Sequence, residues 1–250
     1  MAARPTIRIQ TNLVARSERQ LLNKICPRLP GWLTPDHLTA IGVLGACLVF
    51  TGYIASRYHP AFLWLAVSGF VLHWFGDSLD GSLARYRHIE RPRYGYFLDH
   101  SVDAFCNLII MASFGATAYA RMDVSLFALL GYFMLCMYVF LNNQVSGTFQ
   151  LSFLALGPTE LRLALISLTI GMYFFGIVGV RIGTQFFSAY DLVLIGAGLA
   201  FVALFITHAL VRISQLREEE TGAASSEPDA ISPDLVHQPL PQVPATNPSV

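Results

Sequence analysis

Residues 77–103 read DSLDGSLARYRHIERPRYGYFLDHSVD, and the reading of this stretch decides the fold. It carries aspartates at 77, 80, 99 and 103, a glycine beside the first pair, and four arginines between the pairs. One apolar run leads into it from Ala61 and another leads out of it to Ala120. Asp77 and Asp80 are three residues apart and Asp99 and Asp103 four apart, so on helices each pair shares a face. A short loop between the two runs makes them antiparallel neighbours, which puts both pairs at one depth. The spacing therefore predicts four carboxylates facing one cleft between helices.

The surrounding chain is built for lipid. Of its 250 residues, 54% are hydrophobic and 13% charged, about half the charged share of an ordinary soluble domain. Six apolar segments approach the roughly 20 residues that a spanning helix needs: 38–56, 61–86, 95–120, 125–148, 161–180 and 189–211. The expected fold is an all-α integral membrane protein with six transmembrane helices. With six spans both termini lie on one side. That side would hold thirteen of the sixteen lysines and arginines, against Arg57, Arg121 and Arg181 on the other, which predicts cytoplasmic termini and a cytoplasmic aspartate motif. Residues 1–32 form a basic leader in which Leu21, Leu22 and Ile25 suggest an interfacial helix. The six-span domain covers 33–212. Residues 213–250, acidic and proline-rich, are expected to be a disordered cytoplasmic tail. A net charge of zero offers nothing to a nucleic acid, and Cys26, Cys47, Cys106 and Cys136 show no metal-ligand spacing.

Carboxylates a few ångströms apart cannot all stay ionised without counterions. Two Mg²⁺ or Mn²⁺ ions, which prefer carboxylate oxygens, meet that need and form a clamp suited to phosphoryl transfer. Small residues at 81 and 84 leave room for a phosphate or nucleobase, and Arg85 can pair with phosphate oxygens.

The same residues resemble the CDP-alcohol phosphatidyltransferases, whose motif runs D-x2-D-G-x2-A-R, a spacer of about eight residues, then G-x3-D-x3-D. Here the matching positions are Asp77, Asp80, Gly81, Ala84, Arg85, Gly95, Asp99 and Asp103, with nine residues between Arg85 and Gly95. The resemblance covers about residues 30–212. It implies that Asp77, Asp80, Asp99 and Asp103 bind the metals and that Asp103 is also the general base. Gly81, Ala84 and Arg85 would line the site for the CDP part. The reaction implied belongs to phospholipid biosynthesis: an acceptor alcohol attacks the phosphorus distal to cytidine, and CMP departs. The resemblance also suggests a homodimer, in a bacterial inner membrane, with the site facing the cytoplasm.

Other features carry two readings. TPDHLT at 34–39 resembles a family element near the nucleotide, through Pro35 and Thr39, and is equally an ordinary helix start with Thr34 as N-cap. Glu160 in GPTE either faces the cleft or belongs to a turn capped by Thr159. His73 lies one turn before Asp77 and reads first as a packed histidine, while His100 falls on a different face from Asp99 and Asp103. Asn142, Asn143 and Gln144 contact substrate or bond other helices. DHSVDA and GPTE resemble the branch of the family that transfers phosphoethanolamine or phosphocholine to diacylglycerol. The arginines of the loop favour an anionic acceptor and CDP-diacylglycerol as donor, so donor and acceptor stay open. The competing class is a divalent-cation transporter. It would tend to spread acidic residues near the midplane of several helices.

Overall fold

The computed structural model describes residues 7–9, 15–146, 148–150 and 157–226. In chain order the elements are β1 (Ile7–Ile9), α1 (Ala15–Ile25), α2 (Pro35–Ala55), α3 (Leu63–Tyr86), α4 (Pro92–Gly115), α5 (Met122–Ser146), β2 (Thr148–Gln150), α6 (Pro158–Phe175), β3 (Gly179–Ile182), β4 (Gln185–Ser188) and α7 (Ala189–Ser226). Single 3-10 turns at Cys26–Arg28 and Pro60–Phe62 precede α2 and α3. Residues to Ile206 make one unit, and those from Thr207 another.

Among the described residues, five helices are long and apolar enough to cross a membrane: α2, α3 with its preceding turn, α4, α5 and α7. This fits a multi-pass membrane protein. The large apolar side chains left exposed, among them Leu44, Val71, Leu108, Leu130 and Leu199, then face acyl chains rather than water. The sixth expected span is shorter than the sequence suggests. α6 carries Glu160 and Arg162 near its start and stops at Phe175 instead of 180. Gly176 there takes φ 65°, a left-handed conformation that ends the helix at little cost to a glycine. The apolar residues beyond it enter a hairpin, β3 against β4. A parallel pairing of β1 with β2 is the second exception to the all-α expectation.

The last helix departs from expectation in the other direction. It continues to Ser226, so residues 213–226 are helical where a disordered tail is expected. One glutamine, three glutamates, a leucine and two alanines supply good helix formers there, and Arg212 pairs with Glu219 at 3.1 Å. Residues 227–250 of the expected tail lie outside the described residues.

Glycines bring α2 and α3 into backbone contact. A Cβ on Gly45 would overlap the backbone of His73, one on Gly76 the backbone of Gly42, and one on Gly52 that of Ala66. From the other side, a Cβ on Gly69 would lie 2.6 Å from the amide nitrogen of Val49. Only residues without side chains permit this approach. Further along α2, Tyr53 packs edge-on against Phe114 at 5.4 Å and its hydroxyl lies 2.7 Å from that of Thr169 on α6. These contacts centre a core with Phe70, Cys106 and Met172. A second cluster of Leu22, Cys26, Leu33, Leu38, Leu79 and Leu83 docks the leader on α2 and α3.

Candidate active site

The end of α3 is fixed by its own backbone. His88 takes φ 54°, and Ile89 N–H donates to Ala84 O at 3.0 Å while His88 N–H donates to Arg85 O at 3.2 Å, a Schellman-type stop. Pro92 then opens α4. Five residues between the helices suffice to reverse the chain, so the two aspartate pairs meet.

Arg87 organises the adjoining leader. Its guanidinium donates to the carbonyls of Leu33 at 2.5 Å, Pro30 at 2.9 Å, Leu29 at 3.2 Å and Gly31 at 3.4 Å. The loop before α2 is thereby held against the end of α3. Thr34 caps α2 as the sequence suggests, accepting from His37 N–H at 3.3 Å. Asp36 forms an ion pair with Arg91, tying the same start to the α3–α4 loop.

A small cavity of about 10 Å³ sits where these pieces converge, lined by Thr39, Gly42, His73, Asp77, Asp80, Asp99, Val102 and Asp103. All four predicted aspartates and Thr39 therefore meet at one place. Thr39 donates its hydroxyl to Asp80 Oδ2 at 2.7 Å. His73 is buried, with Nδ1 2.9 Å from the carbonyl of Gly42. A carbonyl only accepts, so Nδ1 carries the proton and the neutral ring keeps Nε2 as an acceptor.

Other expected site residues stand apart from this cavity. Gly81 lies beneath Arg85: a Cβ there would be 3.3 Å from the arginine's Nη1. Arg85 itself is exposed and donates to Ser82 Oγ at 3.2 Å. Gly95 is exposed with open space around it, and Ala84 and Pro35 are half-buried. Glu160 does not line either cavity described here; its carboxylate accepts from Gly157 N–H at 2.9 Å. The cap of α6 is therefore Gly157 and not Thr159.

Two further side chains join the site, and of these only His100 was weighed in the sequence. Arg162, on α6, donates Nη2 to Asp77 Oδ2 at 2.8 Å, with only 10% of its side chain exposed. Its Nη1 is buried and has no hydrogen-bond partner among the described residues. An arginine early in an apolar segment is itself a signal, because ionisable residues in spans are functional by default. His100 is the other. Its ligand atom and those of Asp99 and Asp103 lie within 4.8 Å of one another, although helical spacing places it on a different face.

A second, larger cavity of about 150 Å³ adjoins the first and shares His73 and Asp103 with it. Its walls are mainly apolar, from α3 through α7, and Asn107, Tyr132 and Arg162 add polar groups. The carboxylates are hard oxygen donors with one cationic neighbour, and an imidazole stands beside them. This donor set fits a hard divalent cation, which would supply the charge that four clustered carboxylates require.

The family model for CDP-alcohol phosphatidyltransferases matches residues 32–209. The chain belongs to this family. The matched region runs from the loop held by Arg87 to within α7, and so takes in every residue lining the two cavities. The chain is also 31% identical over 102 residues to the archaetidylinositol phosphate synthase of Pyrococcus horikoshii. That alignment covers 41% of this chain and 51% of the relative, about half of the relative's length.

Proposed function

We propose that the chain is a membrane transferase of phospholipid synthesis that moves a substituted phosphate group from a CDP-alcohol to an acceptor alcohol. The acceptor oxygen forms a bond to the phosphorus distal to cytidine, the bond from that phosphorus to the CMP oxygen breaks, and the acceptor's proton leaves to a base. The observation that carries this reading is the meeting of four aspartates, from two helices, in one cavity against Thr39. A transporter has less use for a carboxylate cluster bordered by a fixed arginine and a second, mainly apolar cavity.

Asp77, Asp80, Asp99 and Asp103 would hold two divalent ions, Mg²⁺ or Mn²⁺, with His100 near enough to contribute. When bound, such ions neutralise charge on the phosphates. Asp103 lines both cavities, which suits it to take the proton from an acceptor hydroxyl arriving from the larger one. Thr39 orients the carboxylate of Asp80. Gly81, Ala84, Arg85 and Pro35 would receive the CDP part beside the small cavity, where Gly81 leaves the Arg85 guanidinium free to turn toward a diphosphate. Gly95 and Glu160 have weaker support, since neither lines a cavity described here. The unpartnered Nη1 of Arg162 favours an acceptor bearing an anionic group. The relative, named for a phospholipid carrying inositol phosphate, supports the same arrangement of a lipid on the CDP and a polar acceptor. The charge distribution supports a cytoplasmic site and termini.

The test is CMP release from purified protein in lipid. CDP-diacylglycerol is offered with polar alcohols and their phosphates, and CDP-ethanolamine or CDP-choline with diacylglycerol. Asp103→Asn is expected to abolish release while Mn²⁺-dependent CMP binding persists. Asp80→Asn is expected to lose both. Metal flux into liposomes without nucleotide binding would refute the transferase reading.

A further inference from the structure

The leader helix reaches the site through one carboxylate. Glu18, half-buried on α1, accepts at Oε1 from the Trp74 indole N–H at 2.7 Å, from Ser78 Oγ at 2.9 Å and from Thr159 Oγ1 at 3.0 Å. Thr159 also lies 3.1 Å from Oε2. Trp74 and Ser78 are one turn apart on α3, and Thr159 opens α6. Among the described residues Glu18 forms no ion pair, and neutral donors on two helices supply these hydrogen bonds. Three hydrogen bonds thus meet on one carboxylate oxygen.

Their position in the sequence gives them consequence. Ser78 follows Asp77 directly. Thr159 precedes Arg162 by three residues, less than one helical turn. The carboxylate therefore bridges α3 and α6 beside the 2.8 Å contact in which Arg162 meets Asp77. That contact joins residues 85 apart in sequence. The leader also sits on the protein through Leu22 of α1 and Cys26 just after it, which cluster with Leu38 of α2 and with Leu79 and Leu83 of α3.

We propose that Glu18 is a positioning residue: it clips α6 to α3 from the leader, and so fixes the register at which Arg162 meets Asp77. The leader helix is then a structural part of the catalytic domain and not a free basic arm. The consequence for turnover rests on the transferase reading above; the clip itself does not.

The experiment is amide hydrogen exchange, followed by mass spectrometry, on the full chain in lipid nanodiscs. In Glu18→Ala the peptides covering 72–82 and 158–165 are expected to exchange about tenfold faster, since both helix ends open more often without the bridge. Glu18→Gln keeps a side-chain carbonyl as acceptor and is expected to stay within about twofold of the parent. Thr159→Val removes only the α6 arm, and should accelerate 158–165 while leaving α1 protected by Trp74 and Ser78. Acceleration confined to 15–25 would mean that Glu18 merely docks the leader, and would overturn the proposal. Unchanged exchange at 158–165 in Thr159→Val would overturn it as well. Exchange needs no turnover, so either failure is distinct from a failure of the transfer assay.

Discussion

Replacing Gly76 by alanine tests whether the α2–α3 glycine contact holds the site together. The new Cβ would lie 2.5 Å from the carbonyl oxygen of Leu38 and 2.6 Å from Cα of Gly42, with the Gly42 amide nitrogen closer still. All three are backbone atoms, so no side chain can rotate away. Restoring ordinary contact requires the helices to part by about 1 Å, and overpacking of this kind costs about 1–3 kcal/mol. The same movement would stretch the 2.7 Å bond from Thr39 to Asp80 beyond hydrogen-bonding range, and a bond to a charged group contributes about 1.5–3 kcal/mol. Together the loss is about 2.5–6 kcal/mol. Cys26 and Cys106 are 2% and 0% exposed, so once the exposed Cys47 and half-buried Cys136 are replaced by alanine a thiol-reactive fluorophore reports the unfolding temperature in detergent. Gly76→Ala should melt well below the parent and bind Mn²⁺ and CMP more weakly. Gly95→Ala is the control, since nothing lies within 4 Å of its Cβ and a helical glycine gains up to about 1 kcal/mol on becoming alanine. A Gly76→Ala protein that melts with the parent and binds CMP normally would refute the argument.

Arg87→Met should release the four carbonyls of residues 29–33, lower the melting temperature, and make Cys26 reactive to thiol reagents before global unfolding. Equal protection of Cys26 in both proteins would show that the apolar cluster alone seats the leader. Thr39→Val keeps the shape of the side chain and removes one hydrogen bond from Asp80. It is expected to weaken Mn²⁺-dependent CMP binding about tenfold, as calorimetry would show, and to lower stability by about the 1.5–3 kcal/mol of that one bond. Chelation of divalent ions should abolish CMP release, and added Mg²⁺ or Mn²⁺ should restore it; release that persists in excess chelator would exclude a metal role.

The carboxylates were legible because their message is local. Asp77 with Asp80, and Asp99 with Asp103, lie on single helices, and a helix imposes its period on neighbours three and four apart whatever surrounds it. Thr34 as the cap of α2 was legible for the same reason. Glu18 and Arg162 were not, because their meaning lies in contacts across 141 and 85 residues, which no local period encodes. The end of α6 was misjudged because the apolar residues after Gly176 suit a spanning helix and an exposed hairpin equally well in composition. The glycines belong between these cases. Gly42, Gly45 and Gly52 on one segment, with Gly69 and Gly76 on the next, recur at helical spacings, a visible pattern whose depth of contact only the structure reveals. Without that contact, Thr39 on α2 would stand too far from Asp80 on α3 to orient its carboxylate. The charged motif therefore supplies the carboxylates of this site, and the uncharged glycines beside it set the distance at which those carboxylates meet Thr39.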